Sequence, residues 1–334
     1  MPKYILALIA LMVCNIQVSG HVDKCTDWSF KEADSIAIVY QGYSVQNLKL
    51  LADRLTRPLK TEKQKYRAIY TWVCLNISID YALVRLNEQK RKKLLGKPQQ
   101  LSDWNRQMAN KVFSNLRDHK KTLCTGFAYM IRELCLHAQI ECKIQNGLVV
   151  NNLQRSTPTI LPNHSWNSIK IEGNWYMSDP TWSAGYYDLR NEVYVPAFDD
   201  TYFLVEPQLF FQDHFPIKQE EIQNEKNEKA WAFLQRPLTY IGLIRQQIVL
   251  TTPLMFENTL GLGEKLLVTF KTLKTTNSEG MELLVNQKKI VTKPKITSQG
   301  MIELAWLPKR KGNYTIDLKV SDDYVASFRL KVSR

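Results

Sequence analysis

Apolar side chains in KQKYRAIYTWVCLNI (63–77) recur at Tyr66, Ile69, Tyr70, Val73 and Ile77. Intervals of three and four put them on one stripe of a helix, expected over 62–79. Thr61 and Glu62, after Pro58, suit its start. The pattern also predicts helices over 32–55 and 102–118, the latter with Met108, Val112, Phe113 and Leu116 on one side; the basic, polar stretch between 79 and 102 reads as a connection. The strongest helical pattern begins at Cys124 in CTGFAYMIRELCLHA, where Phe127, Ala128, Ile131, Leu134, Cys135 and Ala138 form the stripe. The period then falls to two: ECKIQNGLVV is a strand, and two more flank Glu172-Gly173. Beyond a polar, helical stretch at 219–233, short alternating runs follow: QQIVLTT, KLLVTFKTL, MELLVNQ, MIELAWL, YTIDLKV and ASFRLKV. Turn signals at Asn277-Ser278, Gly312-Asn313 and Asp322-Asp323 separate them, as in a β-sandwich of about seven strands. The expected class is α+β, an α/β domain followed by an all-β, immunoglobulin-like sandwich. The expected division is 21–215, a helical connector over 216–244, and 245–334.

The first twenty residues change the picture of where the chain works. MPKYILALIALMVCNIQVSG has Lys3, an apolar run from Tyr4 to Val13 and small residues at Val18-Ser19-Gly20. This is the layout of a secretory signal peptide over 1–20, with a lipoprotein anchor at Cys14 as the alternative. The expected location is therefore secreted, periplasmic or at the cell surface. Five cysteines then remain, Cys25, Cys74, Cys124, Cys135 and Cys142, which leaves at least one thiol unpaired. Cys135 and Cys142 read as buried apolar residues or as disulfide partners, the former preferred. With 44% hydrophobic residues, eight Trp and fifteen Tyr, the chain is a folded protein. Its formal net charge of +13 clusters in QKRKKLLGK (89–97) and RDHKK (117–121). Those runs suit a solvated surface or an anionic partner, and no nucleic-acid motif is present.

Candidate chemistry concentrates in NHSWNSIKIEGNWYMSDPTW (163–182). If Glu172-Gly173 is a two-residue turn, Ile171 opposes Asn174, Lys170 opposes Trp175 and Trp166 opposes Asp179. His164, two residues before Trp166, then shares a face with Asp179, at a diagonal an imidazole and a carboxylate can span. A carboxylate so placed fixes the tautomer of a histidine base and stabilises its imidazolium. Cys124 supplies a nucleophile, because free N–H groups and the dipole at a helix start favour a thiolate. Its own N–H serves as one oxyanion donor.

These residues carry a family resemblance. WVCLNISIDY (72–81), CTGFAYMIRELCLHAQIECKIQNG (124–147) and HSWNSIKIEGNWYMSDPTW (164–182) resemble three segments of the transglutaminase-like superfamily of papain-like cysteine enzymes. HFP (214–216), Trp231 and the sandwich resemble its kyphoscoliosis-peptidase-like branch. The resemblance implies a transglutaminase-like domain with Cys124 as nucleophile, His164 as base and Asp179 as its orienter. Two positions depart from the family pattern: Thr122-Leu123 stand where a glycine often precedes the cysteine, and Ser165 stands where alanine commonly follows the histidine.

Around this triad, Gly126, Trp166 and Trp182 are expected to line the cleft, and the indole of Trp104 is the candidate second oxyanion donor. His119, His137 and His214 share no ligand spacing, so no metal is assigned, and no cofactor is called for. Asp199-Asp200 and Asp322-Asp323 read as turns. Asn163-His164-Ser165 is also a glycosylation sequon, and a glycan there would obstruct the base. The expected function is an exported thiol enzyme acting on a protein or peptide amide, with hydrolysis preferred over transfer to an amine. The competing reading is a transglutaminase-like scaffold without catalysis.

Overall fold

The structure is a computed structural model that describes residues 30–150, 160–188, 190–218, 228–273 and 280–333. The expected signal peptide, Cys25, the Asn277-Ser278 turn and 219–227 of the expected connector lie outside the described residues.

Two helices, α1 (Lys31–Val39) and α2 (Leu48–Thr56), replace the single helix expected over 32–55. Gly42, at φ +81°, turns the chain between them, and Asn47 caps α2 by accepting from the Leu50 N–H. Thr61 and Gln64 form a reciprocal capping box at the start of α3 (Glu62–Asn76). Residues 66–74 of α3 are buried on every side, so this helix is the axis of the first domain. Buried Arg67 ties it to α1 through Asp34 at 2.7 Å and to Asp200 at 2.7 Å.

After β1 (Ser78–Ile79), the stretch expected to be a basic connection folds as α4 (Tyr81–Lys93) and the start of α5 (Pro98–His119). Leu83 is the one described residue of α4 that is fully buried, so hydrophobic spacing carries almost no signal there. The helix rests instead on good helix formers, an Asp80 cap on the Leu83 N–H, and four basic residues in the last turn, where the dipole favours them. On α5, Met108, Val112 and Leu116 are buried as expected, while Phe113 stays exposed with its ring 4.7 Å from Tyr129.

The short strand β2 (Lys121–Thr122) pairs in parallel with β1, Ile79 against Thr122, and leads straight into α6 (Cys124–His137). A four-stranded antiparallel sheet follows, ordered β5-β4-β3-β8: β3 (Cys142–Val149), β4 (His164–Ile171), β5 (Asn174–Ser178) and β8 (His214–Pro216). Between β5 and β8 lie α7 (Pro180–Ala184), a hairpin of β6 (Gly185–Asp188) and β7 (Val193–Pro196), and α8 (Pro207–Phe210). The β4–β5 register is the expected one, Ile171 opposite Asn174 and Lys170 opposite Trp175. Glu172 at φ +50° and Gly173 at φ +85° give the turn the primed hand that matches strand twist.

Beyond α9 (Glu228–Leu234), β9 (Leu238–Thr239) and α10 (Ile241–Arg245), every alternating run named above contains a strand. One sheet of the sandwich is β10 (Ile248–Thr252), β12 (Leu266–Thr272), β16 (Ile302–Trp306) and β15 (Lys295–Ile296). The other orders β11 (Glu257–Gly261), β18 (Asp323–Ser333), β17 (Gly312–Val320), β13 (Met281–Val285) and β14 (Lys288–Ile290), with β9 also pairing β18. Gly312-Asn313, expected as a turn, opens β17. β8 carries the first sheet one residue past the expected boundary at 215, and β9 draws 238–239 of the expected connector into the sandwich.

The fold is thus a mixed α/β domain followed by a β-sandwich, and one core runs through both. Trp166, Tyr202 and Phe210 belong to the same buried cluster as Phe270, Leu283, Ile316 and Phe328. Arg245 fastens the two parts, bonding Asp199 and Asp323 at 2.5 Å each. Cys74, Cys124, Cys135 and Cys142 are free thiols. Among the described residues no helix is long and apolar enough to cross a membrane.

Candidate active site

Three elements aim side chains at one point. α6 presents Cys124 at its first position, where Leu123 in extended conformation ends β2 and no side chain caps the helix. The Cys124 N–H therefore has no acceptor within its own helix. β4 presents His164 at its first residue, opposite Gly147 of β3. Asp179 ends β5 and caps α7, its Oδ1 accepting from the N–H groups of Thr181 at 2.9 Å and Trp182 at 3.2 Å.

The second carboxylate oxygen of Asp179 is 2.6 Å from His164 Nε2, and the pair is buried at 0% and 7% exposure. With Nε2 so engaged, Nδ1 is the ring nitrogen left for another partner, and Cys124 lines the same cavity as His164. Burial opposes a thiolate at Cys124, yet the hydrogen bond to His164 and its charge outweigh burial and hold the thiol below its ordinary pKa. Burial likewise opposes charge on His164, but Asp179 and Cys124 raise its pKa to about 10. Asp179, despite burial, is held well below the carboxylate range by His164 and His214. The arrangement favours a thiolate–imidazolium pair backed by a carboxylate.

Cys124 and His164 open onto one cavity of about 890 Å³. Trp182 lines it and lies 5.4 Å from the His164 ring at 29°. Thr181 lines it too, with a buried Oγ1 that has no partner among the described residues. The other expected cleft residues stand elsewhere. Trp166 shares the His164 face of β4 but sits one step further in, fully buried against His214 and Phe210. Gly126 faces β2: a Cβ on it would fall 1.8 Å from Thr122 Oγ1. Thr122 thus fills the space behind the nucleophile helix. Trp104 is not an oxyanion donor, because its indole N–H donates to Asn87 at 2.9 Å and it packs among Leu83, Met108 and Leu123. Asn163 of the sequon is also engaged, pairing both ways with the Val149 backbone at 2.9 and 3.0 Å.

His214 is the functional-site residue that spacing missed. Its Nε2 lies 3.2 Å from the Asp179 carboxylate, and its Nδ1 lies 2.5 Å from Asp213, whose other oxygen accepts from Tyr202 at 2.7 Å. Burial works against its charge, but Asp213 and Asp179 together raise its pKa. Its ring stacks on Phe210 at 3.9 Å. The available signal was the dipeptide Asp213-His214 in an aromatic segment. Donor atoms of His164, Asp179 and His214 lie within 4.8 Å of one another, a spacing a metal ion could use, although hydrogen bonds already connect all three.

Parts of the chain are similar to known proteins. Residues 49–180 match the description "Transglutaminase-like superfamily". The kyphoscoliosis peptidases of Homo sapiens and Mus musculus are each 26% identical over 189 residues, 56% of this chain. The aligned part is 24% of either relative, so the chain spans about a quarter of the length of the curated relatives it matches. A solved structure described as a TGase aligns at 16% identity and a TM-score of 0.27, covering 49% of this chain and 35% of that one. The stretch that holds Cys124, His164 and Asp179 is thus similar to the transglutaminase-like superfamily, and the chain is similar over 189 residues to the kyphoscoliosis peptidases.

Proposed function

We propose that the protein is a thiol-dependent amide hydrolase or acyltransferase acting on proteins or peptides, with Cys124, His164 and Asp179 as its triad. The observation that carries this reading is the buried 2.6 Å contact between His164 and Asp179, with the Cys124 thiol on the same cavity as His164. In the first step the Cys124 thiolate attacks the amide carbonyl carbon. The C–S bond forms and the carbonyl electrons move to oxygen, which the free N–H of Cys124 is placed to meet. As the intermediate collapses, the C–N bond breaks and the leaving nitrogen takes a proton from the His164 imidazolium. Water, or an amine, then attacks the thioester as neutral His164 takes its proton; the C–S bond breaks, the acid or new amide leaves, and Cys124 returns as the thiolate beside the imidazolium. Asp179 keeps the ring oriented throughout and stays ionised.

Export belongs to the same proposal and rests on the sequence of residues 1–20. The basic runs at 89–97 and 117–121 are proposed to draw the enzyme toward anionic surfaces.

Mass spectrometry of peptide mixtures incubated with the wild type and with Cys124→Ser tests the reading. Cleaved or deamidated products report water as acceptor; cross-linked products report an amine. Rapid haloacetamide labelling of Cys124 at neutral pH, lost in His164→Ala, supports the triad. Labelling no faster than that of partly exposed Cys142, with His164→Ala silent, favours a scaffold without catalysis.

A further inference from the structure

Helix α4 forms one wall of the cavity that Cys124 also lines. Arg85, Glu88, Arg91 and Lys92 from this helix all line it, three cations against one anion. Arg85 is occupied, its guanidinium 5.5 Å over the ring of Tyr81, which itself stacks on Tyr187 at 3.5 Å. Lys92 is exposed. Arg91 differs from both. It is partly buried, its Nε is screened from solvent, and that atom has no hydrogen-bond partner. Among the described residues Arg91 makes no ion pair within 4 Å. Glu88, one turn earlier on the same helix, lies beyond that distance.

A guanidinium cannot shed its charge at ordinary pH, so a partly desolvated and unpaired one carries a standing cost. Burial opposes the charge of Arg91 and lowers its pKa, while Cys124 and Glu88 favour the charge. The planar fork of N–H donors fits a carboxylate with two parallel hydrogen bonds. A substrate whose reacting carbonyl sits at Cys124 would bring its neighbouring groups into reach of Arg91. Lys92 lines the same cavity, and Lys90 and Lys93 on the same helix add to the positive field.

We propose that Arg91 is the anion-recognising residue of this cleft, and that the preferred acyl donor carries a carboxylate beside the reacting amide. That carboxylate is either the α-carboxylate of a chain terminus or an acidic side chain on the adjoining residue. The inference rests on the proposed reaction at Cys124 for its meaning, and its test is separable from that reaction.

The test alkylates Cys124 with iodoacetate and with iodoacetamide, two probes that differ by one negative charge next to the reacting carbon. In each case the C–S bond forms and iodide leaves. Both reagents meet the same thiolate, so their rate ratio cancels any change in its ionisation. The same cysteine in the urea-unfolded chain gives the reference ratio. Against that reference the folded wild type should favour iodoacetate by about tenfold, the scale of a partly screened charge pair. Arg91→Gln should lose that preference, and Arg91→Lys should keep part of it. An unchanged ratio in Arg91→Gln overturns the inference and leaves the triad untouched. Conversely, slow labelling by both reagents with the ratio preserved would sink the triad and keep the anion site. A second measurement, binding to Cys124→Ala, uses Ac-Ala-Gln-Ala as free acid, the same peptide as amide, and Ac-Ala-Gln-Glu as amide. Tighter binding of the first points to a terminal carboxylate, and of the third to an acidic side chain. Equal binding of all three overturns the proposal.

Discussion

Asp179→Asn separates the charge of the carboxylate from its shape. The amide keeps an oxygen for the Thr181 and Trp182 N–H groups, so the start of α7 survives. What goes is the negative charge 2.6 Å from His164. The lift of His164 from 6.5 to about 10 corresponds to roughly 5 kcal/mol in favour of the imidazolium. Without Asp179 only Cys124 still opposes burial, and a return of the ring to its ordinary pKa of about 6.5 sets the scale of the fall. At pH 8 the wild-type imidazole is then about 99% protonated and the variant's about 3%. If alkylation runs through the thiolate–imidazolium pair, the variant reacts about thirtyfold more slowly at that pH. It should also reach its plateau at higher pH, its rate climbing about tenfold per pH unit below it. Iodoacetamide labelling of Cys124 from pH 5 to 10, quantified by peptide mass spectrometry, reads both quantities, and circular dichroism checks that the variant is folded. Equal plateaus and rates within about twofold at pH 8 would refute the ion-pair account of this site.

Two further expectations concern stability. The pKa of His164 is higher folded than unfolded, so its contribution is whole below about pH 6.5 and drains away as pH rises toward 10. Asp179 is depressed in the folded state, so its contribution is whole above about pH 4 and is lost in acid. Urea unfolding should therefore show the gap between wild type and Asp179→Asn widest between those limits, near pH 5, and smaller at pH 3 and pH 9; a constant gap contradicts the linkage. Gly126→Ala places a methyl 1.8 Å from Thr122 Oγ1 and 2.7 Å from its Cβ, a buried β-branched side chain that cannot swing aside. It should cost about 2 kcal/mol in thermal unfolding, and Thr122→Gly in the same chain should recover most of it. An unchanged melting temperature in Gly126→Ala would show that α6 does not press on β2 as described.

The approach of His164 to Asp179 is legible in the sequence because each is tied to a local rule. A primed turn with Gly173 at positive φ fixes the register of β4 on β5, and the register fixes which face His164 and Asp179 share. The stripe from Phe127 to Cys135 places Cys124 at a helix start. His214 was not legible, because no local rule brings a three-residue edge strand 35 residues further on to lie against Asp179. Trp166 marks another limit. Alternation told its face correctly, but the cavity opens only at the end of β4, and two residues inward the same face is core. Trp104 was proposed on donor chemistry alone, and Asn87 had already taken that donor.

The deepest loss of information lies at α4, and it has a physical cause. Periodicity reports a helix by what the helix buries, and α4 buries little beyond Leu83. Its remaining face is turned to the cavity, where Val84 and Leu95 stand beside Arg85, Glu88, Arg91 and Lys92. A wall built to meet a ligand keeps polar groups in reserve, so in sequence it looks like a solvated run. His164 and Asp179 can be read early, since each finds a fixed partner inside the protein. On the proposal above, Arg91 keeps its partner outside the chain, which is why it lines the cavity with Cys124 while its Nε has no partner among the described residues.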